Sequence, residues 1–191
     1  MKLPHLIKTI CFLGLGFLVA LSIVLSPSLT GAIAIQDVPN PRVEYGGWVT
    51  DMANIISPAT ERELNQLIDT LEAETTAEIA IVTVPDTDPF PSVKTFTTEL
   101  FNTWGIGKKG KDNGILFLTS SGDRRVEIET GYGIEAILPD AQVLDILNRH
   151  ILPYFKTNDF DTGMLEGTRA LIDVLSDETF EGGIIDKDPF F

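Results

Sequence analysis

The chain of 191 residues has one cysteine and two histidines. A single cysteine excludes a disulfide scaffold and any zinc site built on thiolates. Basic residues are scarce, with 14 Lys and Arg against 28 Asp and Glu and a formal charge of −14. That balance argues against a nucleic-acid binder, whose footprint is a basic face. No internal repeat is visible. The mixture of 43% hydrophobic and 22% charged residues is too apolar for a disordered chain. A length below about 200 residues suits one domain.

Acidic residues are missing altogether before Asp37. Met1–Lys8 instead carries Lys2, His5 and Lys8, and Thr9–Leu25 is almost wholly apolar. Ser26-Pro27-Ser28 ends the run, and Ala32-Ile33-Ala34 puts small residues where a signal peptidase reads them. Residues 1–34 therefore read as a signal peptide, with an uncleaved N-terminal membrane tether as the alternative. Cys11 lies inside the apolar run. Residues 35–191 keep 12 Lys and Arg against 28 Asp and Glu, one histidine and no cysteine, a net charge of −16. A surface so acidic favours cations and repels anionic lipid. No later apolar run reaches spanning length, so no C-terminal membrane anchor is expected.

Residues 35–45, with Pro39 and Pro41, read as an extended leader. Ser57-Pro58 is a helix start, with Ser57 as N-cap and Pro58 at the first helical position. Leu64, Leu67, Ile68 and Leu71 then follow at helical spacing. Glu78–Val84 is rich in β-branched residues, as expected of a strand covered on both faces. Ser92–Trp104 is a second amphipathic helix, and Gly105–Asn113 a glycine- and lysine-rich loop. Gly114–Thr119 and Arg124–Glu129 make a hairpin around Ser120–Asp123. Helices are expected over Asp140–Ile151 and Asp161–Leu175, and residues 179–191 as a loose acidic tail. Strands alternating with helices predict an α/β fold, a sandwich with helices on both faces of a mixed sheet.

Two glycine motifs mimic nucleotide sites. Gly105–Lys111 fits the first seven positions of a P-loop, but Asp112 stands where a hydroxyl must reach magnesium. The segment also runs helix to strand, the reverse of a P-loop. Gly131-Tyr132-Gly133-Ile134-Glu135-Ala136 fits a dinucleotide fingerprint, but Pro139 interrupts the helix that would hold the pyrophosphate. A tight turn with positive φ is the simpler reading there.

Catalytic side chains are few. His150 is the only histidine after the signal, which excludes a histidine zinc centre. No G-x-S-x-G elbow accompanies any serine, so no serine triad is expected. Oxygen ligands are better supplied: Asp51, Asn54, Asp112, Asn113 and Glu135 lie in loops, and such donors suit a hard cation such as Ca²⁺. The candidate metal ligands are Asp51, Asp112, Asn113 and Glu135. If the hairpin pairs antiparallel, Asp112 and Glu135 share one end of the sheet and Asp51 lies at the other.

Four ordered blocks resemble TPM domains. They are Val49–Ser57 (VTDMANIIS); Trp104–Gly107 with Lys111–Leu116 (KDNGIL); Asp123–Glu135 (DRRVEIETGYGIE); and Ile151–Phe155 through Gly167. The resemblance spans about Gly46–Leu175, within a domain placed at residues 46–178. It implies a three-layer α/β/α sandwich in an exported protein of the thylakoid lumen or periplasm. The best-known members assist photosystem II repair by binding a partner complex. A plant member is an acid phosphatase, and related domains bind calcium or other divalent ions. Many members carry a membrane segment after the domain, which this chain is expected to lack.

The favoured expectation is an accessory protein without catalytic residues, bound to a protein complex such as photosystem II. The alternative is a divalent-cation-dependent acid phosphatase acting on phosphomonoesters with Asp112 as its catalytic residue, helped by Asp51 and Glu135. Lys108, Lys109 and Lys111 would then offset the phosphoryl charge.

The signal reading makes Ile35 the first residue of the exported protein. Intact-mass measurement on the exported fraction checks it, and a mass that retains residues 1–34 would establish the tether instead.

Overall fold

Two apolar runs make the centre of the fold. In the computed structural model, which describes residues 33–181, Glu78–Val84 (β2) and Gly114–Ser120 (β3) pair in parallel. Ile79 lies opposite Ile115 and Val82 opposite Leu118. Val49–Asp51 (β1) extends the sheet in parallel beside β2, and Arg125–Thr130 (β4) runs antiparallel to β3. The order is β1-β2-β3-β4. Residues 1–32 of the expected signal, and residues 182–191 of the tail, lie outside the described residues.

Side chains alternate across this sheet with period two. Ile79, Ile81, Ile115, Phe117 and Ile128 face one core, while Ala80, Val82, Val84, Leu116 and Leu118 face another. Pro58–Thr75 (α2) covers the first face with Leu64, Ile68 and Leu71. Phe160–Glu181 (α6) lies beside α2 and adds Met164, Leu171 and Leu175. Val93–Trp104 (α3) covers the second face with Val93, Phe96 and Leu100. The three-layer sandwich is therefore as expected.

Capping fixes where these helices begin. The Ser57 hydroxyl accepts from the Thr60 amide at 3.3 Å, and Ser92 accepts from Thr95 at 3.1 Å. The Ser57 amide donates to Asp161 Oδ1 at 2.7 Å, which ties the start of α2 to the first turn of α6.

Connectivity holds an exception to a common rule. The crossovers β1-α2-β2 and β2-α3-β3 step the same way across the sheet but pass over opposite faces. Two such crossovers have opposite hands, so one is left-handed, against the strong right-handed preference of parallel connections.

Other expectations are corrected. Residues 35–45, expected as an extended leader, form a 3₁₀ turn at Ile35–Asp37 and a short helix, Pro41–Glu44 (α1). Ile35 and Val38 are buried in the α3 core, and the Asn40 side chain caps α1 by accepting from the Arg42 amide at 3.0 Å. The helix expected over Asp140–Ile151 divides into Asp140–Ile146 (α4) and a π turn, Leu147–Ile151, followed by Leu152–Phe155 (α5). Pro153 has no amide to donate, and its ring excludes the carbonyl four residues back, at Arg149. The helix of α6 continues to Glu181, so the first residues of the expected loose tail are helical.

Candidate functional site

The N-terminal end of β3 is where chain segments crowd. The Asn113 carbonyl accepts from the Glu78 amide, the Gly114 carbonyl from the Gly131 amide, and the Asp112 carbonyl from the Gly133 amide, at 3.1, 2.9 and 3.0 Å. A Cβ on Gly131 would overlap the Asp112 carbonyl oxygen, and one on Gly133 the Lys111 carbonyl oxygen. Neither glycine has a positive φ. The Gly131-Tyr132-Gly133 turn therefore needs glycine for close approach, and the expectation of a positive-φ turn is corrected.

Charged groups lock the loop before β3. Lys108 Nζ pairs with Glu72 Oε1 at 2.6 Å and Glu78 Oε1 at 2.9 Å. Those contacts raise the Lys108 pKa, and the bond from Lys108 lowers that of Glu72. Glu78 Oε2 also accepts from the Gly107 amide at 2.8 Å. Asn113 is used inside the loop: its Oδ1 accepts from the Lys108 amide at 2.9 Å, and its Nδ2 donates to Thr76 Oγ1 at 3.2 Å. The segment that imitates a P-loop is thus a braced helix-to-strand connection.

Beside this loop lies a cavity of about 640 Å³, lined by Asp112, Glu129, Glu135, Lys109 and Tyr132 among others. Asp112 holds a positive φ of 48°. Its side chain and that of Glu135 are exposed and make no hydrogen bond among the described residues. Glu129 is paired with Lys94. Tyr132, 83% exposed, stands on the rim, held by the two packed glycines.

Asp51 is elsewhere. It ends β1, at the opposite end of the sheet from the residues that precede β3. Its carboxylate accepts from the Ile56 amide at 3.0 Å, the Ile55 amide at 3.2 Å and the Thr83 hydroxyl. These contacts fold the turn that leads into α2. The structure therefore joins Asp112 and Glu135 in one cavity, commits the Asn113 side chain to its own loop and separates Asp51 from all three. Among the described residues, no group of three His, Cys, Asp or Glu is placed to hold a metal ion. His150 is half-buried on the π turn, away from this cavity.

Residues 49–174 match the model of the TPM domain family. The chain belongs to that family. It is similar to the solution structure of the N-terminal domain of a P. gingivalis protein, with 32% identity and a TM-score of 0.71. That match covers 78% of this chain and 94% of the other. Two further solution structures share the fold. BA42 of Bizionia argentinensis has 20% identity and a TM-score of 0.55, over 64% of this chain and 82% of its own. The N-terminal domain of a Corynebacterium glutamicum protein has 21% identity and a TM-score of 0.54, over 78% and 87%. No curated protein sequence matches significantly. TPM domain proteins are often extracytoplasmic, and among the described residues no helix is long and apolar enough to cross a membrane.

Sequence reasoning identified Asp112 and Glu135 but passed over Tyr132, Glu129 and the Glu72–Lys108–Glu78 brace. Glu78 opens a strand whose other residues are buried, and that misfit was the available signal.

Two outcomes follow from these contacts. Gly133→Ala forces its Cβ onto the Lys111 carbonyl and should cost about 1–3 kcal/mol, read by denaturant unfolding. Glu61, raised in pKa by burial and then by the nearby Asp51 charge, offers the pH test. A carboxyl raised on folding favours the native state when protonated, below pH 4.5, and that contribution is lost as pH rises through its folded pKa. Glu61→Gln should therefore raise Tm at pH 7 and give no gain at pH 3.5.

Proposed function

We propose that this TPM domain is an extracytoplasmic accessory module that binds a partner protein complex, of the kind that assists photosystem II repair and assembly. The observation that carries this reading is Tyr132, an exposed aromatic side chain on a turn locked by backbone packing. Rigid exposed aromatics are typical anchors of protein recognition, because they bury a large area at little entropic cost. Asp112 and Glu135 beside it would give the surface its acidic rim.

A hard divalent cation fits this rim only loosely. Ca²⁺ takes about 6–8 oxygen ligands. Asp112 and Glu135 would provide two carboxylates, so water would fill most of the shell. Asp51 and Asn113 would not take part, since their side chains are engaged elsewhere.

The phosphatase reading is the weaker one. It asks Asp112 to act as nucleophile, a second group to protonate the leaving oxygen, and cations on the phosphoryl oxygens. Lys109 faces the cavity, but Lys108 is held by Glu72 and Glu78 and Lys111 by Thr76. No histidine lines the cavity.

Co-sedimentation of the exported protein with thylakoid membranes containing photosystem II tests the proposal. Wild type should sediment, and Tyr132→Ser should remain in the supernatant with an unchanged Tm. Phosphomonoester turnover near ~1 s⁻¹, at the low end of ordinary enzymes, that disappears in Asp112→Asn would overturn the accessory reading. The Asn variant suits this comparison because asparagine tolerates the positive φ at position 112.

A further inference from the structure

At the opposite end of β3 from the Tyr132 cavity, where the strand turns into β4, lies a half-open cavity of about 370 Å³. Its lining differs from the rest of the molecule. Arg124, Arg125 and Lys156 border it, with no carboxylate among its lining residues. Cations are the scarce charge in this chain, which has twice as many acidic residues as basic ones. Lys94, Lys108, Arg149 and Arg169 are each held by a carboxylate. Arg124, Arg125 and Lys156 make no ion pair among the described residues, like Arg42, Arg62, Lys109 and Lys111, but they alone of these lie together on one cavity free of carboxylates.

Carboxylates next to the lining residues in sequence are engaged elsewhere: Asp159 accepts from the Thr162 amide and Asp161 from the Ser57 amide, and Asp123 is held at the start of the hairpin. The Asp123 Oδ2 accepts from the Thr87 amide and hydroxyl and from the Ser120 hydroxyl, at 3.1, 2.9 and 2.7 Å. Arg125 also borders a second cavity that holds Asp88, Asp123 and Glu127, so Arg124 and Lys156 are the more telling pair.

Two further observations bear on the ligand. The apolar part of the lining comes from Val126, Leu152, Phe155 and Phe160, on β4, on α5 and at the start of α6. Thr119, on the same cavity and 2% exposed, has a hydroxyl without a hydrogen-bond partner among the described residues. Arg124 also holds a positive φ of 52°, uncommon for a long side chain, whereas Asn158 adopts its 61° readily. A strained position such as Arg124 is found at ligand sites as well as at tight turns.

We propose that this cavity binds a small organic carboxylate with a short apolar body, such as a single aryl ring. The guanidinium groups suit a planar carboxylate, which they can bind through paired hydrogen bonds. The aromatic and aliphatic wall would cover the body of the acid. A volume near 370 Å³ exceeds what an inorganic anion fills and lies at the small end of ligand pockets. The site is separate from the Tyr132 surface and does not depend on its function.

Amide NMR titration of the exported protein with phenylacetate tests this, with benzyl alcohol and inorganic phosphate as comparison probes. Phenylacetate should give saturable shifts confined to residues 119–126 and 152–160. Arg124→Gly, chosen because glycine accepts the positive φ, and Lys156→Gln should each weaken binding at least about tenfold. Both variants should keep wild-type spectra elsewhere, and Lys156→Gln, at an exposed position, gives a reading that does not depend on the turn. Absence of saturable shifts overturns the proposal. So does equal binding by both variants, by benzyl alcohol or by phosphate.

Discussion

The molecule depends on the close approach of three chain segments where β3 enters the sheet. Gly114 begins the strand with the Ile106 carbonyl against one side and the Gly131 amide bonded to its own carbonyl. Gly107, Gly131 and Gly133 stand around it, each with backbone where a side chain would be. Backbone can pack against backbone only when the intervening Cβ atoms are missing. The same contacts align β3 with β2 and hold the turn that presents Tyr132. A change at this point therefore reaches the sheet register and the candidate recognition surface together.

What the sequence made legible follows from burial on two faces. Glu78–Val84 was readable to the residue because both its faces are covered and every position after the first is buried. β1 was missed for the opposite reason. It has three residues, one of them buried, and too little pattern to separate from a loop. The π turn was masked by a helical spacing that continues through it, with Pro153 the only hint. The left-handed crossover is invisible to residue patterns, because amphipathic helices fit either face of a sheet equally well. In the fold, α2 shares its face with α6, and α3 shares the other with the N-terminal turns, Ile35 and Val38 included.

The grouping of site residues shows the same limit at the level of chemistry. Asp51, Asp112, Asn113 and Glu135 look alike in a sequence as oxygen donors in loops. In the fold, β1 and β3 run in the same direction, so a residue that ends one and a residue that precedes the other are about 20 Å apart. Strand direction, expected from the hairpin, already set Asp51 apart. Hydrogen bonding then separates Asn113 from Asp112, its neighbour. Asn113 carries both an acceptor and a donor and is drawn into the loop, whereas an ionised carboxylate only accepts and Asp112 stays at the surface.

The charge pattern connects the two ends of the sheet. The net charge of −16 on residues 35–191 repels anions at long range, a field that salt screens beyond a Debye length of about 8 Å at physiological ionic strength. Within that distance the local groups decide, and at the hairpin end the local groups are Arg124, Arg125 and Lys156. An anion approaching that cavity thus meets repulsion first and attraction last. Salt weakens both, and because Arg124, Arg125 and Lys156 are exposed it screens the local attraction as well as the long-range repulsion. At the Tyr132 end Asp112 and Glu135 carry no ion pair and share the sign of the general field, so the proposed partner would be favoured by basic groups and its arrival slowed by salt. The two proposed sites would thus favour ligands of opposite charge at the two ends of one sheet.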